Sequence, residues 1–212
     1  MFEMEYKGGN SVTLTSKKVT LCIDPRTSLV GGKDQKTVDK VEVGTEARFL
    51  VNDSDARLVV DGPGEYEVGD FTIRGVSATR HIDTPDQEQL ATIYRIECGD
   101  VRVAVIGNID ANVSDEQLEQ VGVIDVLVIP VGGGGYTLDA VNAASLVGRI
   151  EPKVVVPVHY ADSTLRYEVP QDSLDHFLKE ISAPVEETAK YKIKSASAIP
   201  ASLTIVHLTR TA

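Results

Sequence analysis

The chain has 212 residues, 42% hydrophobic and 25% charged, a balance that excludes disorder and supplies a core for one domain. Its 32 acidic against 21 basic residues give a net charge of −11, which repels phosphate backbones and disfavours nucleic acid as a partner. The opening MFEMEYKGGN lacks the basic-then-apolar pattern of a secretory signal, and no apolar stretch is long enough to cross a bilayer. Cys22 and Cys98 each lie in a strand-like run. We therefore expect a cytoplasmic protein with no membrane partner and buried, reduced thiols, a Cys22–Cys98 bridge being the alternative.

The first half reads as strands. Met4–Lys7, Ser11–Ser16 and Val19–Asp24 are separated by Gly8-Gly9-Asn10 and Lys17-Lys18. Gly31–Lys40 is polar and predicts a loop. Alternation resumes in Val41–Val43, Arg48–Val51 and Leu58–Val60. The turn Asp61-Gly62-Pro63-Gly64 precedes Glu65–Val68, which Gly69-Asp70 joins to Phe71–Arg74 as a hairpin. Thr92–Glu97 and Val101–Ile106 form a second hairpin across Gly99-Asp100, so this half predicts an antiparallel sheet.

The second half alternates strands with helices. Ser114-Asp115-Glu116-Gln117 is a capping box with acids at the positive end of a short helix. Val126–Ile129 is a buried strand, followed by Gly132–Gly135 and a helix over Asp139–Ile150. Val154–Val158 and a helix over Gln171–Ile181 come next. Tyr191–Lys194 and Leu203–Leu208 predict two closing strands. Neither an internal repeat nor a linker divides the chain, which predicts a single domain over 1–212.

Chemistry in such a scaffold gathers where strands end. His81 and His159 each follow an apolar strand and are placed to ligate a metal or act as general bases; a capping or surface histidine is the competing reading. Asn108 and Asp110 follow Val101–Ile106 and join the histidines as candidate catalytic residues. Asp24 and Asp83 are candidates to orient the imidazoles from behind, with turn and cap roles equally open. His176 and His207 read as structural. The amides of Gly132, Gly133, Gly134 and Gly135 offer a cradle for an anionic cofactor, but the Lys-Ser/Thr of a phosphate loop is missing, and a flexible turn competes. Neither a Gly-x-Ser-x-Gly elbow nor an activated cysteine appears.

Four segments in one order, DGPGEYEVGDFTIRGV, TIYRIECGDVRVAVIGNID, SDEQLEQVGVIDVLVIPVGGGGYTLDA and EPKVVVPVHY, resemble the metallo-β-lactamase superfamily, in particular its lactonase-like, metal-dependent hydrolase branch. The resemblance implies an αββα sandwich of two mixed β-sheets flanked by helices. It also implies zinc- or manganese-assisted hydrolysis of esters, lactones, lactams or phosphodiesters. By the same resemblance His159 stands at the family's final histidine and His81 at a middle one, and Asp24 lies close to the site. The bridging aspartate is replaced by Asn108, and an early Gly-His-Ser appears as Gly9-Asn10-Ser11. The His-x-His-x-Asp-His loop is expected near Leu50–Leu58, where LVNDSDARL contains no histidine.

Two readings follow. In the favoured one the fold persists, dinuclear hydrolysis is lost, and the protein acts by binding a small molecule or protein, with homo-oligomers an option. Any zinc or manganese would then be a single ion at low occupancy on His81 and His159. In the other, a divergent hydrolase uses His81 and His159 with Asp24, Asp83, Asn108 or Asp110, around one metal or none. RNA processing is weakened by the negative charge.

Overall fold

The computed structural model describes residues 1–53, 55–83 and 89–211. Two sheets face each other. The first has six strands: β1 (Phe2–Gly8), β2 (Ser11–Thr15), β3 (Thr20–Ile23), β4 (Val41–Val43), β5 (Leu58–Val60) and β13 (Tyr191–Ile193), in the order β13-β1-β2-β3-β4-β5. The eight-stranded second sheet contains β6 (Gly64–Val68), β7 (Phe71–Ala78), β8 (Ala91–Cys98), β9 (Val101–Val105), β10 (Val126–Pro130), β11 (Val154–Val158), β12 (Val185–Thr188) and β14 (Thr204–Leu208). Its order is β12-β14-β11-β10-β9-β8-β7-β6.

Side-chain alternation explains the packing. In β1, Phe2, Met4 and Tyr6 are buried while Glu3, Glu5 and Lys7 turn outward, the period-two pattern of a strand with one face on the core. Every residue of β10 and β11 is buried, because these parallel central strands are covered on both faces. Three helices supply that cover: α1 (Asp115–Val121) lies on β7 and β8, α2 (Ala140–Ile150) on β10, and α3 (Leu174–Glu180) on α2. The predicted capping box is present at Ser114 and Gln117, so the helix boundary was written in the sequence. The outer face of the first sheet instead carries the polar loop before β4, which Gln35 ties to Ser11 and Thr37 ties to Glu42.

Three expectations need correction. The first half is not wholly antiparallel, since β3, β4 and β5 run parallel. Arg48–Val51 is not a strand: Ala47–Phe49 forms a short 3-10 helix. The amides of Val51, Asn52 and Asp53 all donate to the buried carboxylate of Glu42, and that demand pulls the segment out of any ladder. Strand β12 (VEET) escaped notice because exposed acids hide its period. Cys22 and Cys98 are both buried free thiols, one in each sheet, so the alternative bridge is absent.

Candidate functional site

The carboxyl ends of β3, β4, β9, β10 and β11 deliver Asp24, Thr45, Asn108, Gly132 and His159 to one edge of the sandwich. Asp24 and His159 immediately follow their strands and both adopt left-handed backbone, at φ 47° and 52°. Non-glycine residues rarely do so, and the cost of about 1–3 kcal/mol each is tolerated only where the surroundings fix the conformation. Here backbone bonds fix it: Asp24 N donates to Val43 O (2.8 Å) and His159 N to Gly9 O (2.8 Å).

Asp24 is 3% exposed. Its two carboxylate oxygens accept from Thr45 N and Thr45 Oγ1, both at 2.7 Å. Burial outweighs these bonds and raises its pKa to about 7. His159 is equally buried, and desolvation lowers its pKa to about 4, against the opposing effect of its bond to Gln171. That bond joins His159 Nδ1 to Gln171 Oε1 at 3.0 Å, while Gln171 Nε2 donates to Val169 O. With Nδ1 protonated, Nε2 keeps its lone pair. The ring lies between Tyr136 and Tyr167, with centroids at 6.1 and 5.1 Å.

Asn108, 1% exposed, accepts at Oδ1 from Asn10 Nδ2 (2.8 Å). Asn108 Nδ2 and Asn10 Oδ1 have no hydrogen-bond partner among the described residues. His81 is tethered by backbone, His81 N donating to Asn108 O (2.9 Å), yet its buried Nδ1 is likewise unpartnered. Among the described residues no hydrogen bond or ring contact joins His81 to His159. Asp83 forms a two-pronged pair with Arg80, each contact 2.7 Å. Asp24 and Asp83 therefore spend their hydrogen bonds on Thr45 and Arg80, and neither orients an imidazole. Asp110 accepts from the backbone and side chain of Asn112 (2.8 Å each) and lines, with Asp83, a separate cavity of about 490 Å³.

The glycine run is a close-packed turn. A Cβ on Gly132 would come within 2.1 Å of His159 O, and one on Gly134 within 2.4 Å of Pro170 O. Gly133, Gly134 and Gly135 have φ between 66° and 73°, conformations that glycine adopts without strain. The run does not open a helix directly, because α2 begins at Ala140 with Asp139 capping Asn142 N.

The segment after β4 supplies what the sequence did not reveal. Arg48 stacks on Phe49 and Tyr136, its guanidinium carbon 4.7 and 4.9 Å from the ring centroids, and it donates to Tyr136 Oη. It also pairs with Glu46 at 2.9 Å, while Arg80 approaches the same carboxylate at 3.7 Å. Arg48, Phe49, Tyr136, Tyr167 and Gln171 close around His159, leaving cavities of about 70 and 20 Å³ beside it. Of the segment after β4, Arg48 and Phe49 line the cavities beside His159. No periodicity or motif marked Arg48, because Tyr136, the ring that it stacks on and donates to, lies 88 residues along the chain. Among the described residues no three or more His, Cys, Asp or Glu side chains form a group able to hold a metal ion.

Residues 3–159 match the profile of a family described as a beta-lactamase superfamily domain, and the chain belongs to that family. Two curated relatives, UPF0173 proteins from Pyrococcus furiosus and Pyrococcus abyssi, are 34% and 30% identical over 128 residues, which is 59% of this chain. The aligned part spans 57% of the length of each relative. A metallo-beta-lactamase superfamily structure from Thermotoga maritima aligns with a TM-score of 0.76 at 20% identity, over 98% of this chain and all of the other. A metallo hydrolase from Ignicoccus hospitalis gives 0.65 at 18% identity, over 91% and 99%. At these identities the two structures speak for the fold: two mixed sheets with flanking helices.

Proposed function

We propose that this chain is a metallo-β-lactamase-fold protein whose metal centre has given way to a hydrogen-bonded network, and that it acts by binding a ligand or partner. The observation that carries this reading is the donor set at the strand ends. An intact centre needs several imidazoles and anionic carboxylates converging on a cation. In this chain Asn108 is a neutral amide held by Asn10, both oxygens of Asp24 are occupied by Thr45, and the guanidinium of Arg48 stands beside His159. A fixed cation next to the single buried imidazole repels a second one. The residues present do not fit a dinuclear site.

A second reading rests on His159 itself. A neutral imidazole oriented by Gln171 through Nδ1, with Nε2 open beside a small cavity, has the arrangement of a general base. The strained backbone at Asp24 and His159 also fits an inherited catalytic geometry. The cavities of about 70 and 20 Å³ are too small for the esters and phosphodiesters of the family, which favours the first reading.

Screening ester, lactone and phosphodiester substrates with added zinc or manganese separates the two. Turnover that disappears in His159→Ala would overturn the first reading. Absence of turnover with either metal, in protein that remains folded, is the expected result.

A further inference from the structure

The outer face of the first sheet holds a cleft of about 540 Å³. Its floor is β1, β2 and β3; one wall is the loop of residues 32–40 and the other is the C-terminal Arg210-Thr211. Of its lining residues, only Thr27 also lines the cavities beside His159. We infer that this cleft is a binding site for a small phosphorylated, non-aromatic metabolite of the sugar-phosphate class.

Charge carries the argument. Five cations, Lys7, Lys33, Lys36, Lys40 and Arg210, line the cleft against two carboxylates, on a chain whose net charge is −11. Glu5, one of the two, is already satisfied by Lys7 at 3.1 Å and by Lys190 at 2.8 Å from outside the lining. Asp34, the other, accepts from Ser28 N at 2.7 Å. Arg210 is held by Asp162 at 2.9 Å. Lys33, Lys36 and Lys40 make no ion pair among the described residues. Three ammonium groups without an ion pair, against the one carboxylate of Asp34, leave a net positive concavity on an acidic protein and raise the local concentration of anions.

The neutral lining points to phosphate. Thr13 and Thr15 on the floor present hydroxyls that can donate to phosphoryl oxygens without adding charge, and Thr20 Oγ1 donates to Thr15 Oγ1 at 3.3 Å, leaving the Thr15 proton for a ligand. The lining contains no aromatic ring. A nucleobase would lack a stacking platform, so nucleotides and single-stranded nucleic acid fit poorly. The volume exceeds what a bare phosphate needs and lies within the range of small-molecule sites.

The test is calorimetric titration of the full chain with glucose 6-phosphate, and separately with inorganic phosphate, at constant ionic strength. The variants are Lys33→Gln/Lys36→Gln/Lys40→Gln and His159→Ala. The expected result is saturable binding, tighter for glucose 6-phosphate than for inorganic phosphate. It should weaken by roughly tenfold or more in the triple variant, as befits loss of charge-assisted bonds, and stay unchanged in His159→Ala. Amide chemical-shift changes should centre on Thr13, Thr15 and Gln35. A non-saturating response, equal affinity in the triple variant, or inorganic phosphate binding as tightly would each overturn the assignment. Failure here leaves the reading of the His159 region intact, since the sites are mutated separately.

Discussion

Asp24 and His159 are displaced from their ordinary pKa values in opposite senses, so their effects on stability should oppose each other. Asp24 titrates at about 7 when folded, against 3.8 ordinarily, because burial disfavours its charge. Between these values the folded state holds the proton more firmly than the unfolded chain. Stability from Asp24 is therefore full below about pH 4 and is lost as pH rises to about 7, roughly 4 kcal/mol in all. His159 moves from 6.5 down to about 4, also through burial. The unfolded chain binds its proton more readily, so this contribution is full above about pH 6.5 and is lost towards pH 4, roughly 3 kcal/mol. Glu46, raised by burial, adds to the Asp24 slope. Asp24→Asn removes the falling limb while keeping both contacts, its amide oxygen accepting from Thr45 N and its amide nitrogen donating to Thr45 Oγ1. The variant should match the parent near pH 4 and exceed its stability progressively towards pH 7.5, by several kcal/mol. His159→Gln should show the reverse trend relative to the parent, being least disfavoured at low pH. Urea unfolding at four pH values across this range measures both. A parent-to-Asp24→Asn difference that stays constant within about 0.5 kcal/mol would mean that Asp24 is ionised throughout, and would refute the burial argument.

Three further outcomes follow from packing. Gly132→Ala should destabilise by about 3 kcal/mol or more, because its methyl would sit 2.1 Å from His159 O, and backbone there cannot yield cheaply; urea midpoints measure it. Asp125 is 1% exposed and serves Arg102 N, Arg102 Nε and Lys153 together. Asp125→Ala should cost about 1–3 kcal/mol, chiefly by stranding Arg102 N, since the Arg102 and Lys153 side chains reach solvent, read from thermal or urea unfolding. Arg48→Met removes a stacked cation and leaves Glu46 with Arg80 alone. A loss of about 1–3 kcal/mol in urea unfolding is expected, together with faster amide exchange at His159.

Much of the scaffold was legible because its signals are local. The boundaries of β4 and β5, the capping box at Ser114 and the buried runs of β10 and β11 all depend on neighbours in sequence. The positions that decide the site depend on long-range partners. Arg48 meets Tyr136, 88 residues away, and Asn10 meets Asn108, 98 residues away. His159 directly follows β11 as expected, whereas His81 lies three residues beyond the end of β7, and sequence could not say that backbone ties His81 to Asn108 while Gln171 claims His159. The left-handed backbone at Asp24 and His159 was equally invisible, since neither residue type demands it. The turn after Leu50 was equally hidden, because the buried carboxylate of Glu42 that captures the amides of Val51, Asn52 and Asp53 acts from nine to eleven residues upstream.

The central claim, that the strand-end site is held by a hydrogen-bonded network and not by a metal ion, is tested most directly by metal content per chain. The measurement is elemental analysis of protein purified without chelator and without a histidine tag. The account predicts zinc, manganese and iron each well below one per chain, unchanged in His159→Ala. Near-stoichiometric metal that falls on mutating His159 would contradict it.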